Sequence, residues 1–494
     1  MIRSFRELMI RDDLRRWIAL LVVCFAQLMI ILDSTIVNVA LPAIQRDLGF
    51  RAADLTWVVN AYGISYGGFV LLAGRVGDVV GRKRVFLAGV ALFTLASAIC
   101  GSAQAAPLLV GARFVQGLGA ALSAGVILAI ITTGFPAQRE RAQAMSVFAF
   151  TIAGGGSLGL LAGGFLTQAA SWHWDFFINL PIGLATFVAG WVLIESNEGP
   201  GLRRGVDVAG SILATAAPML AIYAIVTADA EGWTSAYAIA SAAASLVLLS
   251  GFLWLQARLR NPILPLRILG IRTLMGASAA RGLVATGIFS TFFLGALYLQ
   301  QVRGYSAMQT GLAFLPFTLG LAAMSLGITV RLVGRFGPRR VLLAGLLCIT
   351  SALLILASVG PDTAYFPRLF ATYGLFGLGA GMTMMPLTLI AMAEVPPADA
   401  GLAAGITNVS MQVPAAFGLA VLGTVAADHS RSLLAAGVQA AGAMTGGYQL
   451  AFTIAAALVA GAVVVVLTAL RIPAVARPAH APAGEDQLEL PDAA

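Results

Sequence analysis

Long apolar segments recur along the whole 494-residue chain and constrain its fold more than any other feature. A helix of about 20 apolar residues is long enough to cross the roughly 30 Å hydrocarbon core of a bilayer. Only 11% of the residues are charged, whereas a soluble domain has about 25%. The sequence lacks the short segments of alternating hydrophobicity that form membrane β-barrels. It therefore predicts an all-α polytopic membrane protein.

The apolar segments predict fourteen transmembrane helices, which we number as spans one to fourteen. Most of the connections between them are short. The predicted spans cover residues 17–40, 54–74, 84–103, 107–131, 142–168, 175–194, 206–227, 237–257, 274–300, 309–331, 338–358, 367–393, 399–427 and 447–470.

A short motif after span two is repeated after span ten. The first copy reads GRVGDVVGRKRV (74–85), and the second reads VRLVGRFGPRRV (330–341). At a fixed offset Gly81 aligns with Gly337, whereas the second copy has no counterpart of the acidic Asp78. Internal repeats are typical of transporters. We therefore predict two six-helix bundles, with spans seven and eight inserted between them.

This division predicts six consecutive regions. They are a cytoplasmic amphipathic N-terminus, a first six-helix bundle, two inserted helices, a cytoplasmic amphipathic linker, a second six-helix bundle and a disordered cytoplasmic tail. Their boundaries, in chain order, are 1–16, 17–195, 206–257, 258–273, 274–470 and 471–494.

The positions of the basic residues predict the orientation. Of 30 Lys and Arg residues, 23 fall on one side of the predicted spans, together with both termini. Because positive charge accumulates on the cytoplasmic side, we place that side and both termini in the cytoplasm. The net charge of +8 then indicates contact with anionic lipid headgroups rather than with nucleic acid. The three cysteines all lie in predicted spans, so a disulfide framework is not expected.

Asp33 lies inside the first apolar span, where a carboxylate costs roughly 2.5 kcal/mol or more. Counted at about 1.5 Å per residue, Asp33 lies roughly 24 Å up span one, and Arg113 lies roughly 9 Å down span four from the outer face. The two residues are therefore expected at similar depth, where they could pair directly or through water. Gln116, three residues after Arg113, shares its helix face. Two interpretations remain open: proton or substrate coupling, and a purely structural ion pair.

Four sequence motifs together resemble the major facilitator superfamily, in its fourteen-span drug:proton antiporter branch. The resemblance covers nearly the whole chain. The motifs are LDSTIVNVALP (32–42), GRVGDVVGRKR (74–84), LVGARFVQGLGAA (109–121) and WHWDFFINLPIG (172–183).

The resemblance implies a major facilitator fold and an exporter that exchanges lipophilic drugs or antibiotics, cations among them, for protons by alternating access. It also ties Arg113 to proton coupling, and with it Asp33 and Gln116. Further expectations are a monomer in the bacterial inner membrane, in contact with lipids. A dedicated exporter of one endogenous metabolite and a membrane receptor or scaffold without transport remain alternatives, and uptake is disfavoured only by the resemblance.

The motif after span two is expected to act as a conformational latch, again by resemblance. Asp78 would cap a neighbouring helix N-terminus or pair with an arginine, and so stabilise the outward-facing state. The alternative is that the basic residues only fix the topology. The latch residues are Gly74, Asp78, Gly81, Arg82 and Arg84.

A substrate cavity is expected between the two bundles near the membrane midplane. Aromatic and methionine side chains give adaptable apolar walls, although helix packing is the favoured interpretation for each of them. The candidate residues are Asn38, Trp57, Asn60, Tyr62, Tyr66, Phe289, Phe292, Phe293, Tyr298, Gln301, Met382, Met384 and Met385.

The sequence departs from the antiporter pattern at three positions. Leu160 replaces the usual proline of the span-five motif GGGSLGLLAGG (154–164), although its glycines remain and predict close helix packing. Asp175 stands where related proteins tend to be apolar, and Pro414 stands where glycine is more usual.

Enzyme chemistry finds no support in the sequence. The three histidines are scattered, no metal-ligand spacing occurs, and no GxxxxGK[ST] phosphate-binding loop is present. We therefore expect no cofactor and a proton gradient as the energy source.

Overall fold

The computed structural model describes residues 2–51, 54–195, 207–232, 234–259, 262, 264, 266–396 and 400–469. Within these ranges the regular structure is entirely helical. Three π-helical turns interrupt it, at Tyr298–Val302, Met324–Ile328 and Tyr365–Leu369. The predicted tail at 471–494 and most of the connection before the inserted helices lie outside the described residues.

Seventeen α-helices follow one another along the described residues. Their bounds are α1 Ile2–Leu48, α2 Trp57–Val80, α3 Arg82–Gly101, α4 Ala106–Gly134, α5 Gln138–Ala169, α6 Trp174–Phe177, α7 Asn179–Leu193, α8 Val208–Glu231, α9 Ala236–Arg258, α10 Arg272–Leu297, α11 Ala307–Ala313, α12 Leu315–Ala323, α13 Thr329–Phe336, α14 Pro338–Leu356, α15 Phe370–Met392, α16 Ala400–Ala435 and α17 Ala440–Thr468.

Ten helical segments in the described part of the chain are long and apolar enough to cross a membrane. Two shorter apolar segments, Ile212–Ile225 and Ala307–Ala323, accompany them. The chain is therefore an all-helical, multi-span membrane protein, as the sequence predicts. The number of fourteen spans stays a prediction.

The helices form two groups with a further pair beside them. In the first group, α4 packs against α2 and α3, while α1 packs against α5 and α7. In the second group, α10 packs against α16 and α17, and α15 packs against α12 and α14. The inserted helices α8 and α9 pack on each other, and α8 also contacts α2 and α16. The boundaries of the two six-helix bundles that the repeated motif suggests stay a prediction.

The repeated loop motif has the same backbone geometry in both groups. Gly81 separates α2 from α3 with φ 114°, and Gly337 separates α13 from α14 with φ 83°. A positive φ is unfavourable for residues with a Cβ atom, so both helix-to-helix turns depend on glycine. The backbone thus preserves the repeat even though the second copy has no counterpart of Asp78.

Candidate functional site

Asp33 and Arg113 form an ion pair in the interior of the first bundle. Arg113 Nη1 donates to Asp33 Oδ2 at 2.5 Å. The side chain of Arg113 is 1% exposed and that of Asp33 is 0% exposed. The helices α1 and α4 supply one partner each. The contact agrees with the similar depths that helix rise predicts for the two residues.

Arg113 is held by three further contacts. Its Nη1 also donates to Gln116 Oε1 at 2.7 Å, and its Nε donates to the Val58 carbonyl at 2.9 Å. The guanidinium carbon lies 4.3 Å from the centre of the Tyr62 ring. A planar, multi-donor cation suits this combination of carboxylate, carbonyl and aromatic face.

The other carboxylate oxygen of Asp33 accepts hydrogen bonds from two amides. Gln116 Nε2 donates to Asp33 Oδ1 at 2.7 Å, and Asn179 Nδ2 donates to the same atom at 3.0 Å. Both amides also lie within hydrogen-bond distance of Ser97 Oγ, at 3.0 and 2.9 Å. We call Asp33, Ser97, Arg113, Gln116 and Asn179 the polar cluster. It draws side chains from α1, α3, α4 and α7.

Sequence reasoning missed two members of the polar cluster. Asn179 stands in the motif WHWDFFINLPIG (172–183), and a polar residue there was a usable signal. Ser97 lies in the apolar helix α3 and donates to the Phe176 carbonyl at 3.0 Å. Serine often bonds to backbone inside a helix bundle, so nothing in its sequence context distinguishes it.

The polar cluster keeps the Asp33 carboxylate away from solvent, since its side chain is 0% exposed. Arg113 supplies the opposite charge, and Gln116 and Asn179 supply hydrogen bonds, so the burial of this carboxylate is compensated.

The predicted latch residues lie where α2 and α3 meet. Gly74 packs against α4, since a Cβ atom there would lie 3.4 Å from the Gly125 carbonyl. Arg82 Nη1 donates to the Ala129 carbonyl at 3.4 Å, whereas Arg84 is exposed. The side chain of Asp78 lies outside the part of the chain that the structure describes. The latch function stays a prediction.

Three predicted cavity residues line a small space between the bundles. Asn60, Tyr62 and Phe289 surround it together with Arg113 and Gln412. Its volume is only ≈ 20 Å³, so the bundles nearly close it.

Arg113 forms part of this wall, while Asp33 lies behind it and does not line the space. Both polar side-chain atoms of Asn60 are buried without a hydrogen-bond partner among the described residues.

A larger cavity of ≈ 360 Å³ lies between the bundles at the predicted outer end. Phe293 and Gln301 from the candidate set line it, beside Gln45 and Tyr448. Gln301 Nε2 donates to Gln45 Oε1 at 2.9 Å and so joins α1 to the segment after α10.

The remaining candidates line neither of these two cavities, and their place in a substrate cavity stays a prediction. Asn38 donates to carbonyls of its own helix, Trp57 packs towards α8, and Tyr66 packs in the first bundle. Phe292 packs on Phe314 and Phe317, and the Tyr298 hydroxyl donates to the Gly360 carbonyl. On α15, Met382 faces Gly345 of α14, Met384 packs on the apolar core, and Met385 is half-buried.

The comparisons with known proteins agree with this architecture. A model of the family described as Major Facilitator Superfamily matches residues 23–419. A solved bacterial homologue of the human lysosomal transporter Spinster, inward-facing and unoccupied, superposes with a TM-score of 0.64 at 14% identity, covering 92% of this chain and 97% of that one.

Curated relatives are more similar in sequence. A puromycin resistance protein of Streptomyces alboniger is 36% identical over 460 residues, which cover 93% of this chain and 91% of the relative. A cephamycin export protein of Amycolatopsis lactamdurans is 34% identical over 409 residues, which cover 82% of this chain and 84% of the relative. A tetracenomycin C resistance and export protein of Streptomyces glaucescens is 31% identical over 416 residues, which cover 84% of this chain and 77% of the relative.

Proposed function

The chain belongs to the Major Facilitator Superfamily, and we propose that it is a proton-driven exporter of small lipophilic drug-like molecules. The family consists of transporters, so the chain is a transporter rather than an enzyme. Energy comes from protons that enter as substrate leaves, and no organic cofactor or metal takes part.

The observation that carries the proposal is the buried Asp33–Arg113 pair. Burying an ionisable pair at membrane depth costs free energy. Ionisable residues inside transmembrane segments therefore mark functional sites by default. Asp33 takes up a proton when the polar cluster opens towards one side of the membrane and releases it when the cluster opens towards the other. Arg113 re-forms its ion pair with Asp33 and so returns the carboxylate to its charged form. Gln116 moves with both residues, because it is hydrogen-bonded to each of them.

Export of antibiotic-like molecules is supported by the names of the relatives. They are described as a puromycin resistance protein, a cephamycin export protein and a tetracenomycin C resistance and export protein. The small central cavity presents Asn60, Arg113 and aromatic rings rather than a free carboxylate. This wall favours neutral or anionic substrates over cations.

A dedicated exporter of one metabolite is the second candidate. All three of these relatives carry the name of one antibiotic in their description. A specific exporter uses the same Asp33–Arg113 pair and differs only in accepting fewer kinds of substrate.

The topology that we propose has fourteen spans and both termini in the cytoplasm. Each predicted span overlaps one helix or one interrupted run of helices, with α6 and α7 forming span six and α11 to α13 forming span ten. The protein then spans the bacterial cytoplasmic membrane, and its basic residues contact anionic headgroups. Rocking of the two bundles alternates access to the central cavity.

The decisive experiment compares wild type with Asp33→Asn in liposomes that contain a pH-sensitive dye. Puromycin and tetracenomycin C, neither of which carries a fixed positive charge, are added without an initial pH gradient. We expect substrate-dependent proton movement in the wild type and none in the variant. The control is Asp54→Asn, because Asp54 pairs with Arg51 outside the polar cluster. Wild-type proton movement by Asp33→Asn would refute the assignment of Asp33 as the proton carrier.

A further inference from the structure

A second buried carboxylate lies close to the polar cluster. Asp175 of α6 is 0% exposed, and Thr167 Oγ1 lies 2.5 Å from its Oδ2. The other oxygen, Oδ1, has no hydrogen-bond partner among the described residues.

Among the described residues Asp175 has no ion pair with a cation. Of the two buried arginines there, Arg113 already pairs with Asp33 at 2.5 Å, and Arg281 donates to Thr388 of α15. A second carboxylate in the same interior would be an uncompensated buried charge, which is costly. The carboxyl group avoids this cost by holding a proton.

The other titratable groups near α6 do not change this balance. Asp47 accepts from Trp172 Nε1 at 2.9 Å, and Cys100 Sγ donates to Gln116 Oε1 at 3.6 Å. His173 directly precedes α6 and stacks on the Trp172 ring.

We propose that Asp175 is a second proton-binding site, which loads Asp33 from the predicted outer side. The proposal rests on the proposed function of proton-driven export. In the resting state Asp175 is neutral, and the short contact with Thr167 is a hydrogen bond between a carboxylic acid and a hydroxyl group. Thr167 Oγ1 donates to Oδ2 in this contact, so the proton of the acid lies on Oδ1.

Asn179 connects the two acids. It follows Asp175 by one helical turn, and its Nδ2 donates to Asp33 Oδ1 at 3.0 Å. Its own Oδ1 is buried without a hydrogen-bond partner among the described residues, as is Oδ1 of Asp175. In the neutral acid, Oδ1 of Asp175 carries the proton, so one water molecule that accepts from it and donates to Asn179 Oδ1 would satisfy both atoms. When the Asn179 amide turns away from Asp33, such a water can take the proton of Asp175 and give one of its own to Asp33 Oδ1.

The proton transfer is balanced within the site. The O–H bond of Asp175 breaks, an O–H bond forms on Asp33, and one negative charge moves from Asp33 to Asp175. Arg113 loses its charged partner and is free to reorganise. A proton from the predicted outer side then restores Asp175 by way of Thr167, which is half-buried close to the end of α5.

Infrared spectroscopy of the protein in liposomes tests the protonation state directly. The wild type should show the C=O band of a neutral, buried carboxyl group at neutral pH, and Asp175→Asn should lose it. Asparagine still accepts from Thr167, so folding is expected to be maintained. Asp47→Asn is the control, because it removes an exposed carboxylate at the same end. A band that persists in Asp175→Asn would overturn the proposal.

Transport measurements separate this proposal from the function on which it rests. With puromycin as the probe, Asp175→Asn should slow substrate-dependent proton movement at least about tenfold, in line with the loss of a proton-transfer group. The KM for puromycin should stay unchanged. Unchanged rates in the variant would overturn the relay. Absence of proton movement in the wild type would instead refute the proposed export function. The infrared result would then still test whether the Asp175 carboxyl group is protonated.

Discussion

Arg113 contacts four groups in and around the polar cluster. It donates to Asp33, Gln116 and the Val58 carbonyl while its guanidinium group lies over the Tyr62 ring. Charge alone does not account for this set of contacts, because a compact ammonium ion has neither donors on two separate nitrogens in a fixed plane nor a flat face for the ring. The geometry of the guanidinium group is therefore as important as its charge.

This argument predicts that Arg113→Lys is not a conservative change. Lysine keeps the charge next to Asp33 but loses at least one hydrogen bond in a buried site, at a cost of about 1.5–3 kcal/mol. We expect a lower melting temperature in detergent and at least about tenfold slower proton movement with substrate. The control is Arg368→Lys, because Arg368 contacts Ser358 on the exposed surface. Equal behaviour of the two variants would show that only charge matters at Arg113.

The sequence predicted the charged pair but not its complete environment. Helix rise alone places Asp33 and Arg113 at similar depth, since the two spans run in opposite directions. The contacts of Ser97 and Asn179 depend on how four helices rotate about their axes. Spacing within one helix does not determine this rotation, so Ser97 and Asn179 could be assigned to the polar cluster only from the structure.

At the scale of elements, α1 and α5 approach closely because glycines line their contact. A Cβ atom at Gly155 would lie 3.1 Å from side-chain atoms of Ile31 and Leu28. A Cβ atom at Gly159 would lie 2.9 Å from the Leu32 carbonyl oxygen, one residue from Asp33. The missing proline of this motif therefore leaves the close packing intact, as the sequence predicts.

We expect Gly159→Ala to disturb the position of Asp33. The new methyl group would meet the backbone of α1, which cannot move as easily as the end of a side chain. Overpacking of this kind costs about 1–3 kcal/mol, and we expect a lower melting temperature together with weaker substrate-dependent proton movement.

The control for this change is Gly111→Ala. A Cβ atom at Gly111 has no neighbour within 4 Å, so the added methyl group meets open space. If both alanine variants melt and transport alike, the packing of α1 on α5 does not position Asp33.

Helix interruptions were the least predictable elements. The sequence predicts one continuous span at 309–331, whereas the structure divides it into α11, α12, a π-helical turn and the start of α13. Gly327 within that turn has φ 118°. Glycine tolerates both helical and left-handed backbone, so hydrophobicity gives no sign of the break.

At the scale of the whole molecule, hydrogen bonds join the two bundles at the predicted outer end. Gln300 Nε2 donates to the Val39 carbonyl at 2.9 Å. Gln168 Oε1 accepts from Ser306 Oγ at 3.0 Å and from the Met308 backbone N–H at 3.2 Å. Alternating access requires such contacts to break and re-form, so they contribute to the balance between the outward-closed and outward-open states.

We predict that the double variant Gln168→Ala, Gln300→Ala shifts this balance towards the outward-open state. Two removed side chains, each worth about 0.5–1.5 kcal/mol, change the ratio of states by a factor of about 5 to 150. Distances between spin labels at Arg46→Cys and Ala436→Cys, in an otherwise cysteine-free chain, measure the separation of the outer ends. Longer distances should gain population in the double variant.

Gln449→Ala is the control that distinguishes the loss of contacts between the bundles from the loss of any glutamine at the outer end. Gln449 Nε2 donates to the Val359 carbonyl at 2.6 Å, and both residues belong to the second bundle. Its removal weakens that bundle internally but leaves the contacts between the bundles in place, so the label distances should stay as in the wild type. A distance distribution that changes equally in both variants, or in neither, would show that these glutamines do not set the outer closure. A shift confined to the double variant would show that the outer closure depends on a few polar contacts between the bundles, which proton transfer in the polar cluster can then oppose.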